Sequence, residues 1–581
     1  MKNAILLLFL LIQIPAATQQ FTKITTGPAV NDAGDSRSVN WIDYDNDGDQ
    51  DLFITNGPQA GGNNFLYENK GGGVFEKIDT LIINKDLSPS DGSSWGDIDN
   101  DGDQDLFVAT WYNKKNYLYI NNGDKTFTLS AGIISNDPSY SESGTWGDYN
   151  NDGLLDLYVL NSAGLARNFL YRNDGSGNFT KISTGPQSTD QFLSRNADWI
   201  DINGDGYTDL FVVNESDQGE NVYLNNKSGS FTRSQVPVLT SSAGNSTSSD
   251  WADVDNDGDL DVFITNYAGQ RNYLMLNNGD NTFTKSNQTV FESDPAYSFC
   301  GTFGDIDNDG DADLFVTNAF SNSVSLTDYL YINDGNGNFT RSSEFSSVTG
   351  WSYGASFGDY DADGYLDLAI AKCQGGNENN ALYKNNGGSN NSIQFRLEGK
   401  RVNRSGIGAL IKVKSIINGF ARWQMRRIAG QNGYCSQNLI AHFGIGNATA
   451  IDSAIIVWPN GAVQNLSGLQ INAVNTVIED TNLVTDIRED EIIPAEIRLD
   501  QNYPNPFNPE TIISFSIPER STIKLSIFDI SGKEVEVLYD GEIAAGSHRQ
   551  IFNAANLASG IYFCMLITKT EKVTMKMTLL K

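Results

Sequence analysis

Four-residue apolar runs rich in β-branched and aromatic side chains recur along the first two thirds of the chain. They lie at Leu52–Thr55, Leu106–Ala109, Leu157–Leu160, Leu210–Val213, Val262–Thr265, Leu314–Thr317 and Leu368–Ala371. Runs this short, bounded by Asp, Asn and Gly, predict strands rather than helices. Other landmarks keep register with them. An aromatic residue precedes each run: Trp41, Trp95, Trp146, Trp199, Trp251, Phe303 and Phe357. An LYxN-like strand follows, as at Leu66–Asn69, Leu118–Asn121 and Leu382–Asn385. Then come a Gly-rich turn and a strand opening on Phe75, Phe127, Phe179, Phe231, Phe283 or Phe339. A strand-rich unit of about fifty residues predicts the four-stranded blade of a β-propeller. These later Phe-led strands number six against seven apolar runs, and the missing one is Phe21-Thr22-Lys23-Ile24. The N-terminal segment is therefore expected to complete the last blade and remove the free sheet edges.

Between the aromatic and the apolar run stands a nine-residue acidic loop, in seven copies starting at Asp43, Asp97, Asp148, Asp201, Asp253, Asp305 and Asp359. Position 3 is Asp45, Asp99, Asn150, Asn203, Asp255, Asp307 or Asp361, and position 5 is Asp47, Asp101, Asp152, Asp205, Asp257, Asp309 or Asp363. Position 9 is Asp51, Asp105, Asp156, Asp209, Asp261, Asp313 or Asp367, and position 6 is always Gly. Such an oxygen-rich cage suits calcium, which takes six to eight oxygen ligands at roughly 2.3–2.6 Å. Main-chain carbonyls at position 7 complete the expected ligand sets: Asp49, Asp103, Leu154, Tyr207, Asp259, Asp311 and Tyr365. Up to seven structural calcium ions are expected. An EF-hand is rejected because position 12, where it needs a bidentate Glu, is Ile54, Val108, Val159, Val212, Ile264, Val316 or Ile370. The plainer reading is an Asx-rich β-turn with no ion. Against it, five acidic side chains crowded into Asp43–Asp51 repel one another without a cation.

Strand alternation puts the acidic loops on one face and the loops after each apolar run on the other. Longer, more varied loops often carry ligand sites. Candidates on that opposite face are Trp111, Tyr112, Tyr267, Arg271 and Phe320; the alternative is that these aromatics only pack neighbouring blades.

Formal net charge is −33, and the seven loops account for much of the acidity. No nucleic-acid partner is expected of such a chain. Met1-Lys2-Asn3, the apolar stretch Ala4–Ile14 and Pro15-Ala16-Ala17-Thr18 read as a secretory signal peptide over 1–18. No transmembrane segment is expected in the mature chain. The cysteines, Cys300, Cys373, Cys435 and Cys564, are too dispersed for a zinc site or a disulfide-built fold. Cys300 and Cys373 fall in adjacent blades, either as a pair or as buried free thiols.

Beyond the propeller, expected over 19–389, the balance of charge changes. Residues 390–480 hold nine Lys/Arg, from Arg396 to Arg427, against Glu398, Asp452, Glu479 and Asp480. This segment predicts a small β domain docked on the acidic propeller, with an anionic partner as the alternative. A linker over 481–497 leads to alternating strands over 498–581, the rhythm of a β-sandwich. The expected fold class is all-β: a seven-bladed β-propeller with calcium-binding hairpin loops, then a small β domain and a C-terminal β-sandwich.

Three family resemblances follow from these motifs. The seven repeats resemble FG-GAP/VCBS repeats, the calcium-loop blades of integrin α-subunit propellers. Segment 390–480 resembles the ASPIC/UnbV domain of cartilage-acidic-protein-like proteins through NRSGIGA (403–409), GYCSQ (433–437), HFGIG (442–446) and VWPNG with VQNL (457–466). Cys435 stands where that family more often has Leu. The tail resembles the type IX secretion sorting domain through QNYPNPFNP, FDISGKEV, SGIYF and the terminal lysine. These resemblances imply export by the signal peptide and then across the outer membrane by the type IX machinery, to a released or cell-surface location. They imply calcium ligands and no catalytic residue.

Only His442 and His548 are present, so a His-based triad within the propeller is excluded, and no HExxH, nucleophile elbow or phosphate loop occurs. The expected function is a secreted or cell-surface binding or adhesion module for an extracellular glycan or protein. The alternative is a polysaccharide-active lyase or hydrolase.

Overall fold

The computed structural model describes residues 20–581 except 165–166, 228, 294–296, 322–325, 374–377, 432, 435, 484–496, 500–501, 503–504, 518–520, 544–545, 556, 570–571 and 581. The expected signal peptide, most of the expected linker, Cys435 and the terminal lysine thus lie outside the described residues. The molecule is almost entirely β and divides into two compact units, Met1–Thr485 and Asp486–Lys581.

Each acidic loop joins two antiparallel strands. The first repeat runs Ser36–Ile42, Asp51–Asn56, Phe65–Asn69 and Phe75–Ile78, paired in that order. In every repeat the strand after the loop starts on the position-9 Asp, from Asp51 to Asp367. These strands are buried along their whole length, as their β-branched and aromatic content requires. Seven such sheets stand side by side. Their first strands begin at Ser36, Ser90, Ser141, Ser194, Ser246, Ser298 and Ser352. Each first strand contacts the next, and Ser352–Gly358 contacts Ser36–Ile42, so the sheets close into a β-propeller ring. Each also shifts register against its partner near its start. Such a bulge kinks the strand and re-aims its second side chain.

Phe21–Lys23 supplies the fourth strand of the last sheet, with Phe21 opposite Asn385 and Lys23 opposite Tyr383. Phe21 is fully buried against Phe345 and the core of that sheet. Truncation of so large a buried ring costs about 3 kcal/mol. Phe21→Ala is therefore expected to melt earlier and to be cut first within residues 381–385; a melt identical to wild type refutes this role for the strand.

The chain then folds back on the ring. Ala441–Gly446, Asn391–Glu398 and Val474–Ile478 form one small sheet, and Phe420–Arg427, Leu410–Ile417, Ser453–Val457 and Val463–Asn465 form another. Their apolar core, with Ile393, Phe395, Ile411, Phe443 and Trp458, is continuous with Ile98, Trp146 and Leu155 of the second and third repeats. Ser436–Asn438 adds a parallel strand to Val39–Trp41, the inner strand of the first repeat.

In the second unit a three-stranded and a four-stranded sheet enclose Phe515, Leu525, Ile527, Phe552 and Leu566, a β-sandwich core. Cys300, Cys373 and Cys564 are buried free thiols, so the alternative pairing of Cys300 with Cys373 is not formed. Among the described residues, no helix is long and apolar enough to cross a membrane.

Candidate metal centres

The seven acidic loops share one hydrogen-bond scheme. The position-1 carboxylate accepts the position-6 glycine N–H in every copy, from Gly48 on Asp43 at 3.1 Å to Gly364 on Asp359 at 2.9 Å. That glycine has φ between 80° and 108°, the left-handed region open to glycine, which is why position 6 never varies. The position-9 carboxylate ties the loop at its other end. One oxygen accepts the position-2 N–H, as from Ile98 to Asp105 at 3.0 Å. The other accepts the N–H of the Asn closing the LYxN strand, as from Asn121 to Asp105 at 2.8 Å.

That Asn has a second role, which was not legible as such. In five repeats its amide donates to a carbonyl in the acidic loop of the preceding repeat: Asn121 to Tyr44, Asn173 to Ile98, Asn225 to Tyr149, Asn333 to Val254 and Asn385 to Ile306. Asn69 reaches Tyr360 in the seventh loop and so links first to last. The cue was an Asn in the same place in all seven repeats.

The carboxylates converge. Oxygens of Asp43, Asp45 and Asp51 lie within 4.8 Å of one another, as do those of Asp97, Asp99 and Asp101, of Asp253, Asp255 and Asp261, and of Asp305, Asp307 and Asp313. Loops three and four carry Asn150 and Asn203 at position 3 and keep the scheme, with Asp152 N–H on Asp148 and Asp205 N–H on Asp201 at 3.1 Å. Loop seven does likewise through Asp363 N–H on Asp359 at 3.0 Å. Leu154, Tyr207 and Tyr365 at position 7 have only their main-chain carbonyls to offer. Burial, opposed by backbone donors, pushes Asp51 and Asp105 up to about 8, Asp209 to about 7 and Asp261 to about 9. One oxygen each of Asp43, Asp99, Asp255 and Asp361 is buried without a hydrogen-bond partner. An anionic oxygen in that state is costly unless a cation satisfies it. The donor set, all hard oxygens, fits calcium.

The small domain covers this face. Arg396 pairs with Asp43 at 2.8 Å, and Arg422 pairs with Asp311. Gly444 N–H donates to Asp305 at 3.0 Å and the Gln394 amide to Asp359 at 2.6 Å. Arg404 N–H donates to Asn100, and the Ser405 hydroxyl receives Asp97 N–H at 2.9 Å. The Arg, Ser, His and Gly of the 403–409 and 442–446 motifs are thus docking residues. Burial pushes the His442 imidazole down to about 4, and its Nε2 lies 3.1 Å from the Gly364 carbonyl.

From Ile428 to Ile440 the same domain sends a segment into the ring. The Gln437 amide donates to Trp95 O at 2.9 Å and its carbonyl oxygen accepts Trp95 N–H at 2.7 Å. Asn196 donates to Gly433 O at 2.8 Å. The Tyr434 hydroxyl donates to Glu142 at 2.7 Å and meets Asp91 and Tyr353, with Phe299 against its ring. Arg195 pairs with Glu142 at 2.8 Å, and the Arg37 guanidinium lies 4.6 Å from the centre of the Tyr353 ring. Of these partners, Arg37, Asp91, Glu142, Arg195, Phe299 and Tyr353 are the second residues of their strands, aimed at the axis by the bulges. The 428–440 segment has neither strand nor helix periodicity, so its path was not legible.

On the opposite face the candidate aromatics form clusters. Trp111 packs edge-on to Tyr112 and Tyr140 and donates its indole N–H to Glu142 at 2.8 Å. Tyr267 packs on Phe299 and Tyr297, and Phe320 on Trp351 and Phe299. They are half-buried, and Arg271 is exposed.

Comparison with known proteins adds the family. The model of the FG-GAP-like repeat matches residues 43–108, 97–159, 158–212, 201–264, 253–316 and 318–370. That of ASPIC and UnbV matches 399–483, and that of the secretion system C-terminal sorting domain matches 501–579. Human cartilage acidic protein 1 is 25% identical over 236 residues, 39% of this chain and 35% of the relative. Its Xenopus tropicalis counterpart is 23% identical over 261 residues, 43% of this chain and 39% of the relative. The chain thus spans little more than a third of the length of these curated relatives. Among solved structures, a Photorhabdus luminescens Tc holotoxin pore covers 87% of this chain and 20% of its own, with 12% identity and a TM-score of 0.32. None of the three matched families names a catalytic activity. The sorting domain marks the product for export across the outer membrane by type IX secretion, to a secreted or cell-surface location. With repeat matches over more than half its length, the chain belongs to the FG-GAP-repeat family, joined here to an ASPIC/UnbV domain and a type IX sorting domain.

Proposed function

We propose that this is a calcium-stabilised binding protein of the cell exterior, which presents the loops opposite its acidic face to an extracellular glycan or protein. Calcium sits in the seven loops as scaffold, held by the side chains at positions 1, 3, 5 and 9 and the carbonyl at position 7. Its chemistry there is charge neutralisation of a hairpin that joins two buried strands.

The observation that carries this reading is the fate of the acidic face and the axis. The first is covered by Arg396, Gln394 and Gly444, and the second is filled by Tyr434. The loops around Trp111, Tyr112, Tyr267 and Phe320 are left as the open surface. Immobilised polysaccharides test it directly. The purified chain is expected to be retained by at least one of them, without releasing new reducing or unsaturated ends. Turnover abolished by an acidic substitution outside the loops would favour the polysaccharide-active alternative and overturn the binding reading.

A further inference from the structure

Between the second and third repeats, on the face away from the acidic loops, lies a cleft of about 480 Å³. Binding sites for small ligands run from about 300 to 1,000 Å³. Its walls are the Pro138–Tyr140 connection, the residues Ala163, Gly164 and Arg167, and the stretch from Lys181 to Ser188. We propose that this cleft binds an acidic glycan segment, a short run of uronic acid residues. The inference rests on the binding reading above and names its ligand and its place.

Four observations carry it. Tyr140 is half-buried in the wall, held edge-on by Trp111 at 5.0 Å, and Gly164 leaves space beside its ring, where an added Cβ would come within 3.3 Å. A fixed aromatic wall of this kind packs the C–H face of a sugar ring. Ser188 is 8% exposed, and its hydroxyl has no hydrogen-bond partner. A buried hydroxyl left so is costly, and a ligand hydroxyl satisfies it. The two charged residues in the lining, Arg167 and Lys181, are both basic, in a chain of net charge −33. Lys181 is spent on Asp137 at 2.9 Å, whereas exposed Arg167 makes no ion pair among the described residues. A guanidinium presents the planar fork that carboxylates take. Among the described residues no carboxyl group lines the cleft, which leaves the acid–base pair of glycoside cleavage without a place there and favours binding.

Trigalacturonate titrated calorimetrically into the full chain in calcium buffer tests the assignment, with maltotriose as the neutral control. Trigalacturonate is expected to bind at least about tenfold more tightly than maltotriose. Arg167→Ala and Tyr140→Ala are each expected to weaken it about tenfold, with melting temperatures unchanged. Ser188→Ala is expected to weaken it about threefold. Equal affinity for the two sugars, no binding of trigalacturonate, or unchanged binding in both Arg167→Ala and Tyr140→Ala would overturn the cleft assignment. If the polysaccharide screen still retains the chain in that event, the general binding reading survives; if neither experiment finds binding, both fail.

Discussion

Chelating calcium from the purified protein is expected to lower the melting temperature of its larger unit by about 10 °C. Extracellular calcium modules bind with dissociation constants of about 10⁻⁴–10⁻³ M. At about 10 mM calcium, a site of 1 mM gains about 1.4 kcal/mol by mass action, and seven together gain about 10 kcal/mol. The unfolding entropy of a unit the size of Met1–Thr485 is about 1 kcal/mol/K, so that gain converts to about 10 °C. Calorimetry with and without chelator reads it, and an unchanged melt would sink the calcium assignment. A local version uses Asp257→Ala, which removes a single proposed ligand. Limited proteolysis of that variant should cut within 253–261 before anywhere else in the ring; uniform sensitivity would show that the loop does not depend on an ion.

Gly430→Ala is expected to cost about 5 kcal/mol and to expel the axial segment. A methyl group there would sit 2.1 Å from the Trp146 carbonyl oxygen and 2.7 Å from its nitrogen, both backbone atoms that cannot swing aside. Overpacking of this kind costs about 3 kcal/mol. Withdrawal of the segment also strips the Tyr434 hydrogen bond from buried Glu142 and leaves Asp91, which burial and Glu142 already push up to about 8, without that contact. Loss of a bond to a buried charged group adds about 2 kcal/mol. New protease cuts between Ile428 and Ile440, with a melt several degrees lower, are the expected readout. A variant that melts with wild type and resists cleavage there would place the segment outside the axis.

The repeat was legible because two periodicities coincide: alternation within strands and the return of the acidic loop. The N-terminal strand was legible as a gap in a count of Phe-led strands. The Asn at the end of each third strand was visible as a landmark only. Its bond to the preceding loop joins residues such as Asn333 and Val254, 79 positions apart, and no local pattern encodes such a partner. The axial segment is harder still. Gly, Gln, Asn and Tyr recur in it, and its fit depends on a small inner-strand residue, Gly301, whose carbonyl crowds Gly433 and which reads equally well as turn or filler. The positive balance after residue 390 did point to docking. Which arginines meet which loops depended on the two small sheets, whose register the sequence does not spell out.

The strand at Phe21–Lys23 has a bearing on biogenesis. It is made before the rest of the ring, yet its partner, Ala381–Asn385, emerges after nearly all of it. The first repeat's inner strand waits longer still, for Ser436–Asn438. Contacts so distant in sequence form slowly, and a ring short of one strand exposes an unpaired edge while it waits. The N-terminal strand of a second copy matches that edge as well as the chain's own does, so crowding during folding favours swapped dimers. Speed of closure, rather than strength of any one contact, then governs the choice between the two pairings.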